Sequence, residues 1–255
     1  MFVEERRKKI LELLRKSSKL KVSDLSKMFK VSAVTIRKDL EYLESIGALV
    51  RTHGGAILPD HSKVEWGFFR KLNLRRGEKK KIAEKAVEFI EDEDTIILDS
   101  SSTTYYIAEE IKKRDNLRIT VVTNNIFIAE ELLNVPGVEI IVLGGSIREH
   151  SLSLVGPWTI RYLQEIKVDK AFLGALGFSP DKGFMTPSLV EADVKRAMVK
   201  AAGKVFVVAD SSKFQRGAFA VFAKPEEVDF LITDSEIPEN ILKILEKHKV
   251  KIIRV

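Results

Sequence analysis

The stretch Val31–Ala56, VSAVTIRKDLEYLESIGALVRTHGGA, predicts a helix followed by a small hairpin. Ser32 is suited to cap the helix, because its hydroxyl can accept a hydrogen bond from a free amide of the first turn. One apolar stripe then recurs at i, i+4 and i+7 along the helix, on Ile36, Leu40 and Leu43. Gly47 follows the last apolar turn and suits the left-handed position at which many helices end.

Two further helical patterns precede this helix, over Phe2–Arg15 and over Val22–Phe29, and Ser23 is the expected cap of the second. Only two residues separate the second pattern from Ser32, so the segment predicts a helix-turn-helix. A plain three-helix bundle with a solvated basic face is the alternative. The order and spacing of cap, turn and hairpin favour the helix-turn-helix, because independent local signals agree.

The hairpin predicts a two-stranded wing, with strands over Ala48–Arg51 and Ala56–Leu58 and a glycine turn between them. Opposite its apolar stripe the helix bears basic side chains, which suits entry into the major groove of DNA. We expect the edge Thr35–Lys38 to contact bases and phosphates, and the wing to contact the DNA backbone or the minor groove. The expected DNA-binding residues are Ser23, Ser32, Thr35, Arg37, Lys38, Arg51, His53 and Gly54.

The residues Ser32–Ala56 read S-x-x-T-I-R-K-D-L-x-x-L-x-x-x-G-x-L-x-R-x-H-G-G-A. This run resembles the DNA-binding signature of DeoR-family bacterial transcription regulators. The resemblance implies an N-terminal winged helix-turn-helix and a C-terminal sensor domain. In that family the sensor is similar to sugar-phosphate isomerases and usually binds a phosphorylated sugar or a related metabolite.

The positive charge of the chain is concentrated in the same segment. Residues 1–58 hold 13 Lys and Arg against 7 Asp and Glu, and the whole chain holds 43 against 37, so residues 59–255 hold 30 of each sign. A basic module beside a neutral one predicts nucleic-acid binding by the first alone. A generally basic protein would not show this division.

Composition also excludes several kinds of site. The chain has no cysteine, so disulfides and thiolate chemistry play no part, and its four histidines show no metal-ligand spacing. We therefore expect no metal and no cofactor. No long apolar run predicts a membrane span, and the charged start MFVEERRKK does not resemble a signal peptide, so we expect a cytoplasmic protein without membrane contact.

We expect three segments along the chain: a winged helix-turn-helix domain over 1–58, a linker over 59–76 and an α/β effector-sensing domain over 77–255. The aromatic and basic stretch Val64–Leu74 is predicted to be helical. The charge run Arg75–Lys81 leads into a helix over Ile82–Ile90, and we interpret the run as a solvated face rather than as a second DNA site.

From Thr95 onward, short apolar runs alternate with helical patterns, which predicts a Rossmann-like, mainly parallel sheet with helices on both faces. The expected strands are Thr95–Leu98, Arg118–Val122, Val138–Leu143, Lys170–Ala175, Val205–Ala209, Phe230–Thr233 and Lys251–Val255. The expected helices are Thr104–Lys112, Phe127–Leu133, Trp158–Gln164, Val190–Ala202 and Pro238–His248.

Polar residues follow several of these strands, at the edge of the sheet where such folds bind ligands. The Ser/Thr run after Asp99 precedes a helix, so it either binds a phosphate or only caps the helix. Arg148 and Lys213 are suited to neutralise a phosphate, and Asp99 and Asp210 to accept sugar hydroxyls. The expected effector-binding residues are Asp99, Ser101, Ser102, Thr103, Thr104, Asn124, Asn125, Gly144, Gly145, Arg148, Lys195, Asp210 and Lys213.

These loops are also similar to the family's sensor domain. There the first loop reads D-x-G-[ST]-T, whereas this chain has Ser101 at the glycine position. Glycine lets the backbone approach a phosphate closely, and Ser101 adds bulk. The resemblance implies a phosphorylated effector and places Glu191 and Lys195 near the pocket. From their i, i+4 spacing alone, these two residues could instead form a surface salt bridge.

Three functions are weighed. We expect a ligand-responsive transcriptional regulator, most simply a repressor whose operator affinity falls when a metabolite binds. The second is an enzyme that uses Asp99, Asp210, Glu191 and Lys213 as acid and base, although an isomerase needs no DNA-binding module. The third is an architectural DNA-binding protein whose second domain only oligomerises. We expect a homo-oligomer, a dimer or a tetramer, because helix-turn-helix proteins usually bind repeated half-sites.

Overall fold

The computed structural model describes residues 2–17, 19–45, 49–57, 67–215 and 217–255. The chain divides into two units, Met1–Val64 and Glu65–Val255. Residues 67–76, which we assigned to a linker, pack with the second unit. Gly47, the expected end of the third helix, and Leu58, the expected end of the wing, lie outside the described residues.

The first unit is a winged helix-turn-helix, as the sequence predicts. Its elements are α1 (Val3–Ser17), β1 (Lys19–Lys21), α2 (Val22–Phe29), α3 (Ala33–Ser45), β2 (Val50–Thr52) and β3 (Gly55–Ile57). The strands pair antiparallel in the order β1–β3–β2, so a strand that we did not predict joins the wing. This strand has only three residues, which is too short for an alternating pattern to stand out.

The core of the first unit is built on the apolar stripe of α3. Its three predicted residues are buried, namely Ile36, Leu40 and Leu43. On the same helix the carboxylate of Asp39 is also buried, and it pairs with Arg6 Nε at 2.5 Å and Arg7 Nε at 3.0 Å. Because both guanidinium groups belong to α1, this buried ion pair fixes α1 against α3.

The wing turn requires both of its glycines. Gly54 adopts a left-handed conformation with a φ of 84°, which side chains disfavour. Gly55 lies so close to β1 that a Cβ there would be 2.1 Å from the carbonyl oxygen of Leu20. The two glycines of the turn therefore have a structural reason that is independent of DNA.

The second unit is an α/β sandwich, as predicted. Its helices are α4 (Phe68–Asn73), α5 (Arg76–Val87), α6 (Ser102–Ile111), α7 (Ile126–Leu132), α8 (Pro157–Gln164), α9 (Leu189–Ala201) and α10 (Glu239–Lys247). Its strands are β4 (Thr95–Leu98), β5 (Ile119–Thr123), β6 (Val138–Val142), β7 (Ser146–Arg148), β8 (Ser153–Val155), β9 (Val168–Leu173), β10 (Gly177–Ser179), β11 (Gly183–Thr186), β12 (Ala202–Val208), β13 (Ala220–Ala223), β14 (Phe230–Thr233) and β15 (Lys251–Arg254). Two 3₁₀ helices, Ser211–Gln215 and Pro225–Glu227, complete it.

The main sheet has seven strands in the order β15–β14–β12–β9–β4–β5–β6, and every neighbouring pair is parallel. Helices α5, α6 and α7 pack on one face, and α8, α9 and α10 on the other. The short antiparallel sheets β7–β8 and β10–β11–β13 were not predicted. Among the described residues, no helix combines the length and the apolar composition needed to cross a bilayer.

This topology gathers the polar strand ends. The chain adds β5 and β6 on one side of β4 and then returns to place β9 on the other side. Open α/β sheets bind ligands at such a reversal, beyond the carboxyl ends of the strands. The residues that follow five neighbouring strands are, in sheet order, Asp234, Asp210, Gly174, Asp99 and Asn124.

We expect Asp39→Ala to destabilise the first unit by about 3–5 kcal/mol, because it leaves two arginines of the α1 interface without their buried counter-charge. Thermal unfolding followed by circular dichroism would show an earlier transition for that unit. Glu41→Ala, on the exposed side of the same helix, is the control. Equal unfolding temperatures for the two variants would contradict the role given to the ion pair.

Candidate functional site

The surface of α3 carries the expected DNA-contacting cations. Ser32 caps the helix as predicted, since its Oγ accepts a hydrogen bond from the Thr35 amide at 3.1 Å. Arg37 and Lys38 are both exposed, because they lie opposite the buried stripe of the helix. Thr35 is half-buried, and its hydroxyl lies 2.9 Å from that of Ser32. The start of α3 thus presents two unburied cations beside a capped helix N-terminus.

Ser23 does not cap α2, contrary to our expectation. The helix begins one residue earlier, with Lys21 at the cap position and no side-chain cap bond, so Ser23 falls within the first turn. Its hydroxyl donates to Asp24 Oδ1 at 3.1 Å. Ser23 is nevertheless exposed.

In the wing, Arg51 is held by α3. Its backbone amide donates to Glu44 Oε1 at 3.0 Å, and its Nε lies 3.1 Å from Glu44 Oε2. The Arg51 side chain therefore joins β2 to the helix as well as lying at the surface. His53 and Gly54 are exposed at the wing turn.

The strand-end site, by which we mean the residues that follow β4, β5, β9 and β12, is organised around Asp99. This residue is 1% exposed. Its Oδ1 accepts from the Ser101 amide at 3.0 Å and lies 3.0 Å from the Thr104 hydroxyl. Its Oδ2 accepts from the Gly174 amide at 2.8 Å and from the ammonium of Lys195. Protein groups thus bond both carboxylate oxygens of Asp99, and its role toward an effector stays a prediction.

Ser101 occupies the reversal point of the sheet, between β4 and β9. Its Oγ caps α6 by accepting from the Thr104 amide at 3.1 Å. It also fills the space beside Gly174, where an added Cβ would lie 2.3 Å from the Ser101 Cβ. The other hydroxyl residues of this turn, Ser102, Thr103 and Thr104, are buried.

Glu191 and Lys195 do not pair with each other, although they lie one turn apart on α9. Lys195 bonds Asp99 and donates to the Gly174 carbonyl at 2.8 Å. Glu191 pairs with Arg148 Nη1 at 3.3 Å and accepts from the Thr186 hydroxyl at 3.0 Å. Both side chains are buried, so the surface salt bridge that we weighed is not present. Helix α9 instead connects the β7–β8 hairpin to the ends of β4 and β9.

Gly144 and Gly145, two of the expected effector-binding residues, follow β6 and lie close to Thr159 of α8. Gly145 has a φ of 153°, and a Cβ there would lie 2.3 Å from Thr159 Oγ1. The Thr159 hydroxyl donates to the Gly144 carbonyl at 2.6 Å. Both glycines are exposed, and the close approach of Thr159 explains the glycine at position 145 but not the one at position 144.

Five buried side-chain polar atoms have no hydrogen-bond partner in the part of the chain that the structure describes. One is Thr233 Oγ1 at the end of β14, and the other four lie in or beside the strand-end site. They are Asn124 Oδ1, Asn125 Nδ2, Asp210 Oδ2 and Arg75 Nε. The other amide atoms of the two asparagines are engaged, since Asn124 donates to the Leu154 carbonyl and Asn125 caps α7. A buried polar atom without a hydrogen-bond partner destabilises the fold. A polar ligand that bonded to these atoms would remove that penalty, and its binding would be favoured accordingly.

Charges converge on Asp210. Lys213 Nζ lies 3.4 Å from its Oδ2, and Arg75 Nε lies 3.6 Å from its Oδ1. Burial alone would raise the pKa of Asp210, but Lys213, Lys79, the Ser212 hydroxyl and Arg75 together hold it at about 2. Asp210 is therefore ionised at neutral pH and cannot serve there as a proton donor.

Two residues of the charge run, Arg75 and Lys79, belong to this region although the sequence did not predict it. We interpreted the run as solvated, yet Lys79 is 2% exposed and donates to the carbonyls of Lys71 and Leu74. Burial and, to a smaller extent, the neighbouring Lys213 lower the pKa of its ammonium to about 7, although Asp210 opposes part of the shift. The signal was present, because Lys79 precedes Ile82 and Ala83 at i+3 and i+4 and so continues the buried stripe of α5.

Comparison with known proteins agrees with this division of the chain. A DeoR-like helix-turn-helix domain matches residues 6–62, and a DeoR C terminal sensor domain matches residues 75–235. The uncharacterized HTH-type transcriptional regulator YulB of Bacillus subtilis is 37% identical over 255 residues, which cover 100% of this chain and 98% of that protein. The putative aga operon transcriptional repressor of Escherichia coli O157:H7 is 36% identical over 253 residues, which cover 98% and 93%. Among solved structures, ribose 5-phosphate isomerase A from Methanocaldococcus jannaschii aligns over 53% of each chain, with 18% identity and a TM-score of 0.40.

We expect Gly174→Ala to destabilise the second unit by about 1–3 kcal/mol, because its Cβ must displace Ser101. Adding Ser101→Gly should restore most of the loss, which urea denaturation would measure. Gly77→Ala is the control, since Gly77 is an exposed position of α5 with no atom within 4 Å of an added Cβ. A double variant no more stable than Gly174→Ala would show that Ser101 is not the obstacle.

Proposed function

The chain belongs to the DeoR family of helix-turn-helix transcriptional regulators, and we propose that it is a repressor whose operator affinity falls when a phosphorylated sugar or a related metabolite binds at the strand-end site. One relative is named as a putative transcriptional repressor, which supports repression rather than activation. We further propose that it acts in the cytoplasm as a homo-oligomer, since dimers bind paired half-sites in this class of protein.

The observation that carries the DNA-binding part is the exposed pair Arg37 and Lys38 on α3. Both cations belong to a basic unit, whereas the rest of the chain is neutral. Arginine and lysine contact guanine edges in the major groove as well as phosphates. Arg51, His53 and Gly54 of the wing are proposed to follow the DNA backbone.

The effector part is supported by the unpaired polar atoms at the carboxyl ends of β5 and β12. Asn124, Asn125 and Asp210 offer buried donors and acceptors. Lys213 and Arg75, which lie beside Asp210, supply positive charge that would attract an anionic effector. This assignment moves the ligand contacts away from Asp99 and Ser101, which we propose as positioning residues. Arg148 and Lys195 then act through Glu191 and Asp99 to hold the surrounding loops.

The charges of the strand-end site favour a sensor over an enzyme. General acid–base catalysis needs a group that can exchange a proton near the working pH. The low pKa of Asp210 keeps it ionised, and Asp99 and Glu191 are each engaged by cations of the protein. Lys79, whose pKa is about 7, is buried and donates to the carbonyls of Lys71 and Leu74. These contacts support a site that binds its ligand without converting it.

We expect Arg37→Ala and Lys38→Ala to abolish binding to an operator selected from random DNA by the wild-type chain. Each variant loses a cation at the groove. The slope of log affinity against log salt concentration should therefore fall by about one unit for each phosphate contact that is lost. Fluorescence anisotropy would measure affinity, and an unchanged unfolding temperature of the second unit would show that it remains folded. Lys243→Ala, exposed on α10, is the control. Wild-type affinity in both variants would exclude this helix as the reading element.

A thermal-shift screen of the full chain against sugar phosphates, with the matching free sugars as controls, tests the effector site. A ligand at about 100 times its Kd should stabilise the second unit by roughly 2.7 kcal/mol. Lys213→Met should remove the shift. Lys204→Met should keep it, because Lys204 is exposed near the amino end of β12, away from the strand-end site. A screen with no hits would favour the architectural alternative, in which the second unit only oligomerises.

A further inference from the structure

Helix α4 depends on side chains of its neighbours. It has six residues, which is too short for a helix to be stable by itself. The carbonyls of its last turn and of the residue after it accept from side chains, since Lys79 donates to Lys71 and Leu74, and the Tyr106 hydroxyl donates to Leu72 at 2.9 Å. Lys79 is thus a positioning residue for the carboxyl end of α4.

The same ammonium belongs to the charge cluster around Asp210. Lys79 interacts electrostatically with both Asp210 and Lys213. One turn earlier, Arg75 adopts a left-handed φ of 49° between α4 and α5, and its guanidinium reaches Glu236 Oε2 at 2.7 Å and Asp210 at 3.6 Å. The junction of α4 and α5 therefore places Arg75 against Asp210, after the end of β12, while the Lys79 ammonium one turn later interacts with Asp210 through its charge.

We propose that Lys79 couples the strand-end site to α4: an anion bound beside Asp210 and Lys213 draws the Lys79 ammonium away from the Lys71 and Leu74 carbonyls and so releases the last turn of α4. The proposal rests on the proposed function, because it takes the effector to be an anion bound at that site. It adds the regulatory step, since an effector can change DNA binding only by favouring one arrangement of the protein over another.

The position of α4 in the chain makes such a release relevant to DNA binding. Helix α4 is the first element of the second unit, and the chain reaches it from the wing strand β3 through residues 58–67. A change in α4 therefore occurs where the polypeptide enters the second unit from the first.

Hydrogen–deuterium exchange of the full chain tests the coupling, with potassium phosphate as the probe and potassium chloride at equal ionic strength as the reference. In the wild type, phosphate should slow exchange over residues 210–215 and speed exchange over residues 68–74. The increase should be roughly five- to thirtyfold, the factor that corresponds to losing one or two kcal/mol of local stability. Lys79→Met should show the faster exchange of 68–74 before phosphate is added, with no further response.

Lys81→Met is the matched control, because Lys81 is an exposed lysine of the same helix and should behave as the wild type. Protection of 210–215 without any change over 68–74 would overturn the coupling and leave the effector site standing. No response in either segment would overturn both the anion site and the coupling. Equal basal exchange of 68–74 in Lys79→Met and Lys81→Met would show that Lys79 does not hold α4.

Discussion

Four polar groups converge on the carboxylate of Asp99, and the arrangement of the strand-end site depends on them. The groups come from the N-cap and first turn of α6, from the residue after β9 and from α9, so one buried side chain connects three parts of the fold. An isolated carboxylate could not be buried at such a place, because the loss of hydration would be too costly. The ammonium of Lys195 and two backbone amides compensate that loss.

This constraint separates two kinds of polar residue that look alike in the sequence. Asp99 and Asp210 both follow a buried strand and precede a Ser/Thr run. Asp99 is surrounded by protein donors, whereas Asp210 keeps a buried oxygen without a hydrogen-bond partner and is balanced by cations at 3.4 and 3.6 Å. The carboxylate of Asp99 thus joins parts of the protein, whereas Asp210 is the one for which we propose a contact with the ligand.

The fold could be predicted well because its signals are local and periodic. The stripe of α3, the seven strands of the main sheet and most helices follow from the pattern of apolar residues. The contacts within the site were harder to predict from the sequence, because each depends on partners that lie far apart in the chain. The spacing of Glu191 and Lys195 suggested a pair with each other, but tertiary contacts gave each a different partner. Lys79 was read as one lysine of a charged run, because its carbonyl partners on α4 become visible only in three dimensions.

The pairing of β1 with β3 has a consequence for the synthesis of the chain. The strand ahead of α2 finds its partner only at Gly55–Ile57, after both helices of the helix-turn-helix and the first wing strand have been made. Ala56 of β3 is fully buried in the same core as α3, so that core stays incomplete until the wing has left the ribosome. Nascent chains that end before the two glycines would present α3 without its support, and contact order rather than helix propensity should limit how fast this unit matures.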